Sequence, residues 1–249
     1  MLKTQLLYFY QYQDLKMINC DLHTHTSFSQ CGCHSILEML QFAIQKGLKA
    51  MAITDHGPLL KPRTPSTFFD RFENPYNDKI HFFKGMECNY ANKPGEIDLP
   101  DEYKPFIDVV LLGFHFNTPH HLGIKHYTDV LLKTVDSNKI HIITHPIDHN
   151  FPLDLNEVAK FCAQKNVALE LNNSKVELNL ISPKEQANLI EICLKHNCPM
   201  VVDSDAHTIN QIGDDSFIQP LLNELHVPDA LVINTTLKKT IAFLKGKPN

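Results

Sequence analysis

Residues 21–34 read DLHTHTSFSQCGCH. An apolar run that begins at Ile18 leads into this stretch and ends in two histidines, His23 and His25, spaced i and i+2. On a strand that spacing puts both side chains on one face. Two neutral imidazoles so placed can bind one divalent cation, at about 2.0–2.1 Å if it is zinc. Asp21 or another nearby acceptor would hold the second ring nitrogen of a ligating histidine. Two exposed loop histidines explain the pair alone equally well, so its meaning depends on whether the chain repeats the arrangement.

The chain repeats it. The sequence predicts strands over residues 18–23, 50–56, 82–89, 109–116, 140–145, 167–172 and 200–205, with amphipathic helices over 35–46, 123–135, 154–166 and 183–197. Ser35 with Glu38 three residues on forms a capping box, and Pro183 suits a first helical turn. Near-continuous apolar strands alternating with helices imply a parallel sheet covered on both faces, and seven or eight such units imply an α/β barrel. The strands end in DLHTH, ITDH, GMECN, LLGFH, IITHP, LELNN and VVDSDAH. Metal-competent residues thus gather at one end of the strands, which in barrels is the face that carries active sites. The polar, proline-bearing stretches 68–80 and 89–105 are expected to form a rim around that face.

His56, Glu87, His115, His145, Asp205 and His207 join His23 and His25 on this rim. Six histidines and two carboxylates exceed what one tetrahedral ion needs. Two or three ions, bridged by Glu87 or Asp205, account for them economically. Ions a few ångströms apart favour phosphate-ester hydrolysis, because they polarise phosphoryl oxygens and lower the pKa of a bridging water. The donor mixture suits Zn²⁺, Mn²⁺ or Fe.

Composition narrows the classes further. The 249 residues fit one large domain; the formal charge is −5 and no basic run marks a long-duplex-binding track. Seven cysteines in no disulfide-like spacing, and no evident secretory signal, suit a reducing cytoplasm. No segment approaches the ~20 apolar residues of a membrane helix.

With DLHTHT, AITDHGP, GMECNY followed by GEIDL, GFH, ITHP, LELNNS and SDAHT in that order, the chain resembles the polymerase and histidinol phosphatase (PHP) superfamily, nearest its YcdX-like phosphatase branch. The resemblance spans about residues 17–210, and the Asn234 region extends it. It implies a distorted seven-stranded (β/α) barrel, TIM-like in plan, with a trinuclear centre. Carried over by position, His23, His25, Glu87 and Asp205 hold one ion. Glu87 bridges to a second held by His115 and His145, and His56 and His207 hold a third. The family gives that third ion a further histidine, eight residues after the first histidine of HxH and twenty-five before that of TDH. Both counts land on Cys31. Three readings stay open here: a Cys31 thiolate, which favours zinc; His34 in its place; or an unfilled ligand position and a binuclear enzyme. Cys33 reads as a small thiol outside the ligand set.

Family members begin only a few residues before DLH, so residues 1–16 are expected to be a dispensable extension, with Met17 as the start of a hydrolase domain running to 249. The expected function is phosphomonoester hydrolysis by metal-bound hydroxide on a small phosphorylated substrate. His149 is a candidate general acid, and Lys61, Arg63 and Lys175 are candidate phosphate contacts. The rivals are a 3′-exonuclease or phosphodiesterase on short nucleic acid, a histidinol phosphatase, an amidohydrolase, and a non-catalytic metal-binding module. An oligomer is suggested by analogy alone.

Overall fold

The computed structural model describes residues 18–61 and 64–246. The expected extension over 1–16, the start at Met17 and the phosphate contact Arg63 lie outside the described residues. Seven parallel strands form one sheet in chain order: β1 Cys20–Asp21, β2 Ala50–Ile53, β3 His81–Asn89, β4 Val109–Gly113, β5 Ile142–Ile143, β6 Ala168–Asn172 and β7 Met200–Asp203. Helices cover it: α1 Ile36–Gln45, α2 Ser66–Arg71, α3 Ile124–Ser137, α4 Leu155–Lys165, α5 Asn173–Glu177, α6 Pro183–His196, α7 Gln219–Glu224 and α8 Leu237–Lys245. This is the distorted (β/α)7 barrel expected.

The sheet curls until its edges meet. Thr24 bridges Ala206 in parallel, and the His25 N–H donates to the Ala206 carbonyl at 2.8 Å. Asn234 sews the seam lower down. Its amide donates to the Cys20 and Val202 carbonyls at 2.7 and 2.6 Å, and its Oδ1 accepts from the Val202 N–H at 3.2 Å. One side chain thereby satisfies backbone groups on both edge strands that neither strand can satisfy in the other.

Strand alternation divides the core in two. Ala50, Ala52, Phe83, Val109, Leu111, Ala168 and Val201 fill the barrel interior, while Met51, Ile53, Met86, Val110, Leu112, Leu169, Leu171 and Val202 pack under the helices. Followed up the strands, the interior phase reaches His56, Glu87, His115, Glu170 and Asp205. The expected caps are present: Ser35 with Glu38 closes a capping box at α1, and α6 starts with Ser182, Pro183 and Glu185 in the same arrangement.

Three expectations need correction. The strands at 18–23 and 140–145 shrink to two residues each, because their upper backbone groups turn to side-chain carboxylates. The Leu22 N–H donates to Asp203 Oδ1 at 2.7 Å, and the His145 N–H to Glu170 Oε2 at 2.6 Å. The stretch 68–80 is not wholly a polar rim, since α2 buries Phe68 and Phe69 there, and Phe69 stacks on Tyr103 with ring centroids 4.4 Å apart. In 89–105, Asp98 turns inward and accepts from the Leu59 and Asn89 backbone N–H groups, anchoring the loop that follows His56 to the end of β3.

Candidate metal centre

The upper ends of the strands bring the eight histidine and carboxylate candidates, and Cys31, into one cluster. Glu87 is its centre and is wholly buried. Its Oε1 lies 3.1 Å from His115 Nε2 and 2.9 Å from His145 Nε2. Its Oε2 lies 2.8 Å from His56 Nδ1, 3.4 Å from His23 Nε2 and 3.5 Å from His25 Nε2. One carboxylate therefore faces two different sets of imidazoles. Asp205 Oδ1 closes the first set from the far side, 3.4 Å from His23 Nε2 and 3.3 Å from His25 Nε2.

Hydrogen bonds at the backs of the rings fix which nitrogen carries the proton. His23 Nδ1 donates to Glu170 Oε1 at 2.6 Å, which turns Nε2 toward Glu87 and Asp205, where a bound ion would displace the proton those carboxylates favour. Ser29 Oγ donates to Asp55 Oδ1 at 2.5 Å and accepts from His25 Nδ1 at 3.3 Å, which leaves His25 Nε2 bare. The two Nε2 atoms lie 3.0 Å apart. His207 Nδ1 donates to the Asp205 carbonyl at 2.8 Å, and its Nε2 is free to ligate.

This packing fits divalent ions. Glu87 Oε2 and His56 Nδ1 are buried without a well-aligned hydrogen bond despite their proximity. Buried carboxylates and imidazoles packed this closely are costly unless positive charge, from a proton or a cation, lies among them. His23, His25 and Glu87 form one group whose donor atoms lie within 4.8 Å of one another; His56, Glu87 and His115 form a second, and His25, Cys31 and His207 a third.

The electrostatics divide the rings. Burial opposes a charged His23, but the carboxylates of Glu170, Asp205 and Glu87 overcome it and hold the ring well above its ordinary range. Burial pushes His25 down to about 3 and His115 down to about 4. His56 is raised to about 10 against its burial, chiefly by Glu87. Glu87 and Asp205 stay ionised against the cost of burial, Glu87 through His115, His23 and His56, and Asp205 through His23 and His25 with a contribution from Lys175. Burial raises the Cys31 thiol, but hydrogen bonds with His207 and His56 draw it down to about 6.

The other sequence candidates divide sharply. Lys175, on α5, is half-buried and its charge reaches Asp205. Lys61 is exposed. His149 is exposed and paired with Glu185 at 2.8 Å, at the start of α6 rather than in the cluster. His34 belongs to none of the three donor groups. The acceptor behind His23 is Glu170, whereas Asp21 is taken up by Ser204 and Gly213. Glu170 stood out in the sequence only as the polar end of the sixth strand. A partner 147 residues from His23 carries no local signal.

A family model described as the PHP domain matches residues 21–174. A protein named probable phosphatase from Proteus mirabilis is 33% identical over 233 residues, covering 92% of this chain and 95% of that protein. Another so named, from Clostridium novyi, is 31% identical over 231 residues, covering 91% and 94%. Among solved structures, histidinol phosphate phosphatase from Lactococcus lactis, complexed with zinc, L-histidinol and phosphate, shares the fold with a TM-score of 0.59 at 17% identity, covering 83% of this chain and 93% of that one. The ordered motifs, the seven-stranded barrel and these matches agree: the chain belongs to the PHP domain family, alongside its YcdX-like phosphatases.

Proposed function

We propose that this chain is a metal-dependent phosphomonoesterase. The observation that carries the reading is Glu87, one buried carboxylate with its two oxygens directed at two separate sets of imidazoles. His23, His25 and Asp205 with Glu87 would hold one ion, and His115 and His145 with Glu87 a second. His56 and His207 would serve a third. Zinc, manganese and iron all suit the first two donor sets. When bound, such ions polarise the phosphoryl oxygens and activate water for attack on phosphorus.

The protein's own part is to orient and to neutralise. Glu170, Ser29 with Asp55, and the Asp205 carbonyl fix three rings so that their Nε2 atoms turn toward the cluster. The half-buried Lys175 adds positive charge beside Asp205, where a phosphate dianion gains from it. The curated relatives named probable phosphatases support a phosphate ester as substrate. The acidic net charge supports a small substrate over long nucleic acid. Among the described residues no helix is long and apolar enough to cross a membrane.

The test is phosphate release from an aryl phosphate by protein loaded with defined Zn²⁺ or Mn²⁺, run beside a single-stranded oligonucleotide. Release from the aryl phosphate is expected. Turnover of neither substrate, with metal content confirmed, would refute a hydrolase, and turnover of the oligonucleotide alone would replace the monoesterase with a nuclease.

A further inference from the structure

The third donor group differs in kind from the other two. Glu87 serves both of the others through oxygen, whereas His25, Cys31 and His207 contain sulfur and no carboxylate, with donor atoms within 4.8 Å of one another. Their placement follows from the loop between β1 and α1. Gly32 lies so close beneath Thr26 that a Cβ there would come within 2.5 Å of the Thr26 carbonyl carbon, so only glycine lets the loop fold down at this point. The Ser27 N–H donates to the His34 carbonyl at 2.9 Å, and the Cys33 N–H to the His207 carbonyl at 2.9 Å. These bonds tie both ends of the turn to the rim and carry Cys31 over His207 and His56. His207 Nδ1 is engaged by the Asp205 carbonyl, and the Cys31 thiol reaches both His207 and His56, the two rings assigned to the third ion, while His25 Nε2 faces Glu87 and Asp205. One thiol proton cannot satisfy both the His207 and the His56 ring, and a cation can.

We propose that Cys31 supplies a thiolate to this third position and makes it a sulfur-bearing site that selects zinc over manganese, whereas the two Glu87-centred positions accept either. The inference rests on the metal-dependent reading of the cluster and deepens it. Thiolate is a soft donor that favours zinc, while manganese prefers carboxylate, carbonyl and water oxygens. Ligation releases the thiol proton to solvent and leaves sulfur in its reduced state. The other residue candidate for this position, His34, lies outside the donor group, and Cys33 stays outside it as expected.

The test is cobalt substitution of the full chain, read by absorption, with metal counting after desalting. Wild-type protein loaded with Co²⁺ is expected to show a sulfur-to-cobalt charge-transfer band in the near ultraviolet. Cys31→Ser should lose the band and one ion. Cys31→His should lose the band and keep the ion, which separates loss of a donor from loss of the fold. Cys33→Ser should keep both. After loading with zinc, wild type should retain one more ion than after loading with manganese, and Cys31→His should erase that difference. No band in loaded wild type, or a band that survives Cys31→Ser, would overturn the proposal. A band that behaves as expected in a protein that releases no phosphate would leave the thiolate site standing and refute the phosphatase reading alone.

Discussion

Glu170→Gln is the sharpest perturbation of the centre that replaces none of the proposed ligands. The Glu170 carboxylate accepts three hydrogen bonds, from His23 Nδ1 at 2.6 Å, from the His145 backbone N–H at 2.6 Å and from Asn172 Nδ2 at 3.0 Å. Every partner is a donor, and the group is wholly buried. Glutamine keeps the shape but replaces one acceptor oxygen with a donor. If the NH₂ faces His23, the ring must take its proton on Nε2, where it meets His25 Nε2 and blocks ligation. If the NH₂ faces His145, a backbone N–H is orphaned, at about 1–3 kcal/mol. Loss of a partner behind a ligating histidine typically costs 10–100-fold in metal affinity, or about 1.4–2.8 kcal/mol at 1.4 kcal/mol per tenfold. A competition titration against a chromophoric zinc chelator reads this directly. The variant should bind its tightest ion about 10–100-fold more weakly. Wild-type affinity in Glu170→Gln would refute the claim that this carboxylate sets the His23 tautomer.

Gly113→Ala places a Cβ 2.5 Å from Thr144 Oγ1 and 3.0 Å from Cε1 of both His115 and His145. It should cost about 1–3 kcal/mol in melting experiments and lower the metal content by one ion, while an unchanged ion count would mean that these two rings hold none. His149→Ala should leave turnover unchanged at every pH, since this exposed ring pairs with Glu185 outside the cluster; a collapsed basic or acidic limb would restore it as a proton donor. Asp203 is raised well above the usual carboxylate range by burial and then by Asp21 and Glu170, and its Oδ2 has no hydrogen-bond partner. Its stabilising contribution is therefore full below the unfolded value of about 3.9 and is lost as pH rises toward the folded value. Melting of chelator-treated protein should thus depend less on pH above about 4 in Asp203→Asn than in wild type, and parallel profiles would contradict the shift.

Much of the centre was legible because barrel strands have a period of two. Ala52, Phe83, Val109 and Val201 point inward, and the same phase continued upward delivers His56, Glu87, His115 and Asp205 to one rim. His23 and His145 break that rule. Both fall out of phase with inward neighbours Leu22 and Ile142, and both reach the cluster because the backbone leaves the ladder there. His145 has a φ of 29° and Asp205 one of 53°, left-handed values that non-glycine residues adopt at some cost and that the surrounding hydrogen bonds hold in place. Nothing in a linear pattern announces such departures; only the HxH and THP signatures did. The acceptors behind the rings were hidden for a different reason. Asp21, Asp55, Glu170 and Asp203 are all buried carboxylates near strand ends, and their tasks differ only through contacts that fold closure creates. At Cys31, the resemblance to the family implied the position, and the folded loop shows why that position faces His207 and His56.

The central claim is that the cluster around Glu87 holds ions and that those ions make the chain a phosphatase. Metal content and phosphate release measured on the same samples test it most directly: wild type as purified, after chelation, after readdition of zinc or manganese, and with His23→Ala carried through the same steps. Turnover should vanish with the ions, return with them, and fail to return in His23→Ala, which should bind at least one ion fewer. Phosphate release that persists in ion-free protein, or wild-type turnover in His23→Ala, would contradict the account.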